Sequence, residues 1–180
     1  MTAPSEPPLC VDLDGTLIRG DTTWLSVFSL TLHRPWLWYG AALALPHGRA
    51  AFKAFLSKHV VLAPDALPWR STVLEFLRTE RRRGRRLILT TAAHERVAQV
   101  VAQYLGLFEH VLASTDTHNL KAAAKLEQIR KLLDGKEFDY IGDTFADLPI
   151  LAAARHGYLV GPSRRMLARA RRVARIEAVF

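Results

Sequence analysis

The sequence predicts an α/β protein in which a five-stranded parallel sheet is flanked by helices and a small helical cap is inserted after the first strand. Three observations carry that expectation. Short apolar runs alternate with stretches of helical periodicity, as in a parallel sheet wrapped by its crossovers. Several of those runs stop at carboxylates or hydroxyls. Residues 21–68 break the rhythm: they lack any strand signal and are mostly helical in character, where a simple crossover needs far fewer residues.

Taken in order, residues 1–8 carry three prolines and form an extended lead-in without the basic start and apolar run of a secretory signal. Residues 9–13 are the first strand. The cap follows, and the prolines at 64 and 68 mark the return to the core, where a helix starts near Arg70. Gly84 breaks that helix before a second strand at 86–91. Val97, Val100, Val101, Tyr104 and Leu105 then repeat at helical spacing, and Gly106 stands where a helix C-cap belongs. Residues 110–115 are the third strand, followed by a helix with Ala122, Leu126, Ile129 and Leu133 on one face, ending at Gly135. Residues 138–143 are the fourth strand, a helix begins near Phe145, and residues 158–160 are the fifth. From Ser163 onward a last helix carries six arginines. The domain division expected is therefore a core of 1–20 and 69–180 and a cap of 21–68.

Composition narrows the classes. With 180 residues, 49% of them hydrophobic, the chain can bury a real core, and general disorder is excluded. Cys10, the single cysteine, sits in an apolar run and reads as a small buried filler. One cysteine cannot close an internal disulfide, which favours a reducing, cytoplasmic setting. The net charge of +8 suits anionic partners without choosing among them. No recognition-helix or base-stacking signature is present, so nucleic acid is not expected. The arginines at 81, 82, 83, 85 and 86 read as a solvated helix end.

The chemistry lies in the carboxylates. Asp12 and Asp14 follow the first strand, at the edge where open parallel sheets build their sites, and strand alternation points both the same way. Two such carboxylates repel unless a cation or a proton lies between them, and magnesium suits an all-oxygen site. Thr90 and Thr91 bring hydroxyls to the same edge, Lys121 brings a cation, and Asp143 and Asp147 bring two more acids. Each has a plain structural reading as a turn, cap or surface residue. Their arrival in order at the ends of successive strands favours a site.

These motifs, DLDGTL at 12–17, LILTT at 87–91, Lys121 and GDTFAD at 142–147, resemble those of the haloacid dehalogenase-like (HAD) superfamily, with its Rossmann-like core. The chain is similar to its small-capped phosphatases, among them phosphoserine phosphatase. The fuller likeness is to the phosphatase-like domain fused ahead of some membrane prenyltransferases, through VDLDGTL, the aromatic cap, GRAAFK, LGLFEHVLAS, NLK and DYIGDTFADLP. Having no membrane span here, the chain would meet any such partner as a separate protein.

The resemblance implies a magnesium-dependent phosphatase working through an aspartyl-phosphate. Asp12 is then the nucleophile and Asp14 the general acid and base. Asp12, the Asp14 carbonyl and Asp143 hold Mg2+, Asp147 orients from behind, and Thr91 and Lys121 bind the phosphoryl group. Thr90 and Lys125 are the alternatives for those two roles.

The cap carries Trp24, Trp36 and Trp38. Packing against the core is one reading; a greasy wall for an apolar substrate, or a face resting on a membrane, is another, to which the arginine-rich last helix adds. Asp21 matches the position at which phosphoserine phosphatase binds its substrate amine, and also reads as a helix cap. Lys53 and Arg49 could reach an anionic substrate. The expected substrate is a small soluble phosphomonoester or, alternatively, a lipid-linked (polyprenyl sugar) phosphate handled at a membrane surface. A non-catalytic binding module of the same fold is the rival from another class.

Overall fold

The computed structural model describes residues 6–60 and 62–180, apart from the side chains of Leu45, Arg49 and Ala50. The lead-in is thus described only from Glu6, and the Arg49 expectation lies outside the described side chains. Strand β1 (Leu9–Val11) leads into helices α1 (Thr22–His33), α2 (Trp38–Ala44) and α3 (Gly48–His59), then α4 (Ser71–Arg82). Next come β2 (Leu87–His94), α5 (Glu95–Leu105), β3 (His110–Ser114), α6 (Ala123–Leu132) and β4 (Asp139–Gly142). The chain closes with α7 (Leu148–Ala153), β5 (Gly157–Leu159), α8 (Arg164–Val173) and β6 (Ile176–Val179).

The strands form one parallel sheet in the order β3-β2-β1-β4-β5-β6. Among the described residues it has six strands where five were expected. The terminal helix stops at Val173, Ala174 is extended, and residues 176–179 alternate half-buried and exposed while pairing with β5. A period of two thus replaces the helical one immediately after Arg175. β2 also runs three residues past the expected 91, with a register irregularity against β3 between Thr90 and His94.

Alternation along the strands sorts the core into two layers. Leu9, Val11, Leu87, Leu89 and Ile141 face α4 and α5, meeting Val73, Leu77, Ala98 and Val101. Cys10, Ile88, Tyr140 and Leu159 face the opposite layer, meeting Ile129, Ile150, Leu151, Met166 and Ala170 of α6, α7 and α8. The helices between β1 and β2 have a small core of their own around Leu30, Leu56 and Val60.

Arg85 corrects the reading of its arginine cluster as solvated. It is buried, donating to Glu80 Oε2 at 2.7 Å, to Pro7 O at 2.9 Å and to Asp139. This knot fastens α4 to the amino-terminal ends of β2 and β4, the sheet edge opposite the one where the acids are expected.

Candidate active site

Asp12 lies one residue past β1, and its backbone N–H still donates to Ile141 O of β4 at 3.0 Å. Alternation puts its side chain on the Cys10 side, toward α6. There Lys125, almost fully buried, donates from Nζ to Asp12 Oδ1 at 2.9 Å and to the Tyr140 hydroxyl at 3.0 Å. Tyr140 donates in turn to Asp147 Oδ1 at 2.8 Å, while the Thr144 N–H and hydroxyl donate to Asp147 Oδ2 at 3.0 and 2.9 Å. Ligand atoms of Asp12, Asp143 and Asp147 lie within 4.8 Å of one another. Three carboxylates thus gather around one buried ammonium.

Electrostatics follow from that packing. Burial pushes the Asp12 carboxyl up to about 6, with Lys125 opposing. Burial and the nearby Asp12 push Asp143 up to about 7. Burial alone would lower Lys125, but Asp12 and Asp147 outweigh it and hold the ammonium protonated. The carboxylates thus carry an unmet demand for positive charge beyond Lys125. All the ligand atoms are hard oxygens, so the cluster fits magnesium, which binds through a few carboxylates.

Asp14 lines the same cavity, of about 670 Å³. Its Oδ1 accepts from Thr22 N–H at 2.7 Å and its Oδ2 from the Thr22 hydroxyl at 3.3 Å. Burial lifts it to about 7, against the pull of those donors. The turn that presents it requires glycine at 15: φ is +77°, and a Cβ there would lie 2.0 Å from Asp143 Oδ2. Arg70, read from the sequence only as a helix start, braces this turn by donating from Nε to Gly15 O at 3.1 Å.

The other expected residues divide. Asp21 lines the cavity and also caps α1, accepting from Thr23 N–H at 2.6 Å. Lys53 lines it too, with Nζ donating to Ala92 O at 2.7 Å and so tying α3 to β2. Lys121 is exposed at the rim; the lysine on Asp12 is Lys125, its alternative. Thr91 and Thr90 sit inside β2, not at its end, and do not line the cavity. Thr91 Oγ1 accepts from Ala93 N–H at 2.9 Å, and Thr90 donates to Val11 O at 3.3 Å. Tyr140, the hub between Lys125 and Asp147, was missed. Its signal was position: it shares the Cys10 side of the sheet.

Residues 9–152, from β1 into α7, match the family described as haloacid dehalogenase-like hydrolase. The chain belongs to that family. Among curated proteins, the uncharacterised protein y4nM of Sinorhizobium fredii is 37% identical over 154 residues, which is 86% of this chain. The chain spans only 30% of that relative. Among solved structures, a Bordetella pertussis protein of unknown function superposes with a TM-score of 0.70 at 18% identity, covering 96% of this chain and 98% of its own. A phosphoserine phosphatase captured as a phospho-aspartyl intermediate analogue gives a TM-score of 0.63 at 14% identity, covering 98% and 94%. At those identities the structural likeness is one of fold, and this hydrolase's chemistry rests on its own residues.

Proposed function

We propose that this hydrolase is a magnesium-dependent phosphatase that cleaves a phosphomonoester through an aspartyl-phosphate on Asp12. The observation that carries the reading is Asp12 itself, gripped by Lys125 at 2.9 Å and grouped with the acids of Asp143 and Asp147 at the sheet's carboxyl edge. Asp12, the Asp14 carbonyl and Asp143 would hold the ion, with Asp147 orienting it through the Tyr140 and Thr144 hydrogen bonds. Bound there, magnesium neutralises phosphate charge and orients the phosphoryl group.

The chain's own residues do the rest. Asp12 Oδ attacks phosphorus, and as the ester P–O bond breaks, Asp14 gives its proton to the leaving oxygen. An acid lifted to about 7 has that proton to give near neutrality. Asp14 then takes a proton from the water that attacks phosphorus, releasing phosphate and restoring Asp12. Lys125 holds Asp12 in line and, with Lys121 at the rim, faces the phosphoryl oxygens. Thr91 supports β2 from within, its hydroxyl accepting from Ala93 N–H. Segment 21–68 acts as the cap over this chemistry, with Lys53 as its tie and Asp21 at its entrance.

A phosphate-release screen over soluble phosphoesters and lipid-linked phosphates, with Mg2+ and with chelator, tests the reading. Asp12→Asn should lower release ~10⁴-fold or more, the scale on which loss of a covalent nucleophile is felt. Release that survives Asp12→Asn would falsify the reading, and magnesium binding without any hydrolysis would favour the non-catalytic module. The lipid-linked alternative draws support from the aromatic lining of Trp24, Phe52 and Phe145, which a small zwitterion does not need.

A further inference from the structure

Helix α1 is apolar on both sides, with Leu25, Val27 and Leu30 packed inward and a second apolar stripe facing outward. Its buried residues are Thr22, Ser26 and Leu30, whereas Trp24, Phe28 and Leu32 are 72%, 64% and 61% exposed. The buried hydroxyls are accommodated locally, Ser26 donating to Thr22 O at 2.8 Å and Thr22 to Asp14. Past the next turn the pattern continues with Trp36, Tyr39 and Leu43, exposed by 70%, 77% and 57%. A helix finished against water turns its apolar stripe inward, and large exposed apolar patches mark interaction surfaces.

Charge indicates what covers this one. From Thr22 to Pro64 the chain has no aspartate or glutamate; of its cations Lys53 is turned inward to Ala92 O and Lys58 acts on Asp116, which leaves Arg34 beside the apolar stripe. Arg34, between Leu32 and Trp36, is itself exposed. Tryptophan and tyrosine concentrate at the membrane–water boundary, and basic residues beside an apolar helical face favour anionic headgroups. A second copy of the same acid-free face would bring like charge against like. Among the described residues no helix is long and apolar enough to cross a membrane, so the contact suited to this face is one lying in the surface plane.

We propose that the face formed by Trp24, Phe28, Leu32, Trp36 and Tyr39 docks onto an anionic lipid bilayer. Trp24 also lines the catalytic cavity, so docking brings that cavity's mouth to the headgroups. The inference stands on the surface alone and does not require the phosphatase reading.

The test is co-sedimentation of the chain with vesicles of equimolar phosphatidylcholine and phosphatidylglycerol, and with phosphatidylcholine alone, following tryptophan emission. The wild type should pellet with the anionic vesicles, far less with the neutral ones, and its emission should move to the blue. The double variant Phe28→Glu/Trp36→Glu should lose partitioning by ~10-fold or more, and Phe28→Ser/Trp36→Ser by a smaller factor, with circular dichroism and thermal midpoint held near wild type. A wild type left in the supernatant overturns the proposal, as do double variants that bind like wild type. So does a wild-type dimer in lipid-free sedimentation velocity that the glutamate variant abolishes, because the face then belongs to a second copy.

Discussion

Lys125 holds the site by charge: Asp12 and Asp147 both lean on it, and the ring hydroxyl of Tyr140 completes its shell. Lys125→Met should therefore strand buried acids and cost ~3–5 kcal/mol, read by urea denaturation, whereas Lys121→Met at the exposed rim should stay within ~0.5 kcal/mol. Equal effects from the two would contradict the geometry. Spacing alone could not choose between them, since four residues place both on one helical face. The helix decides: α6 starts at Ala123, preceded by Ala122 at φ +49°, so Lys121 lies in the turn and only Lys125 is on the helix. The same residues predict a pH response. Asp12, Asp14 and Asp143 are lifted to about 6, 7 and 7 in the folded protein, against about 4 in an unfolded chain. Between those limits the folded state binds more protons, so this stabilisation is complete below about pH 4 and is lost as pH rises through about 7. In chelator the thermal midpoint should fall from about pH 5 to about pH 8, and magnesium should restore more of it at the higher pH. A flat profile in chelator would show that the acids are not desolvated together.

Among the elements, the turn after β1 is the least tolerant. Gly15→Ala meets both a positive φ and a carboxylate oxygen at 2.0 Å, so Asp143 must move or the turn must open. The expected result is a loss of both magnesium affinity, measured by calorimetry, and stability, by ~1–3 kcal/mol. Wild-type affinity in that variant would mean that Asp143 is not needed for the ion. Strand–helix alternation made most of these elements legible, because apolar runs such as 86–91 and the face at 97, 100, 101, 104 and 105 obey a single period each. β6 was hidden because α8's arginine-rich sequence runs into it with only two intervening residues, and four residues of alternation are too few to announce a strand. The Arg85 knot was hidden for a different reason. Its partners Glu80 and Asp139 are ordinary charges until β4 is laid beside β1.

Across the whole molecule, the sheet has a chemical rim and a mechanical one. The acids gather where strands end; Arg85, Glu80 and Asp139 gather where they begin. Arg85→Met should lower the thermal midpoint strongly, by the ~3–5 kcal/mol of an opened buried ion pair, while leaving phosphate release near wild type well below that midpoint. A proportional fall in turnover at low temperature would show that the two rims are coupled. Between them runs β1, flanked on both sides by other strands, and Cys10 sits in its middle, wholly buried, its thiol pushed up to about 12 by burial and then by Asp139. The sequence therefore comes with its own tamper seal. A thiol-alkylating reagent can label this lone thiol only when the central strand is laid bare, so the pace of labelling counts whole-domain openings, and anything that tightens the acid rim would slow it.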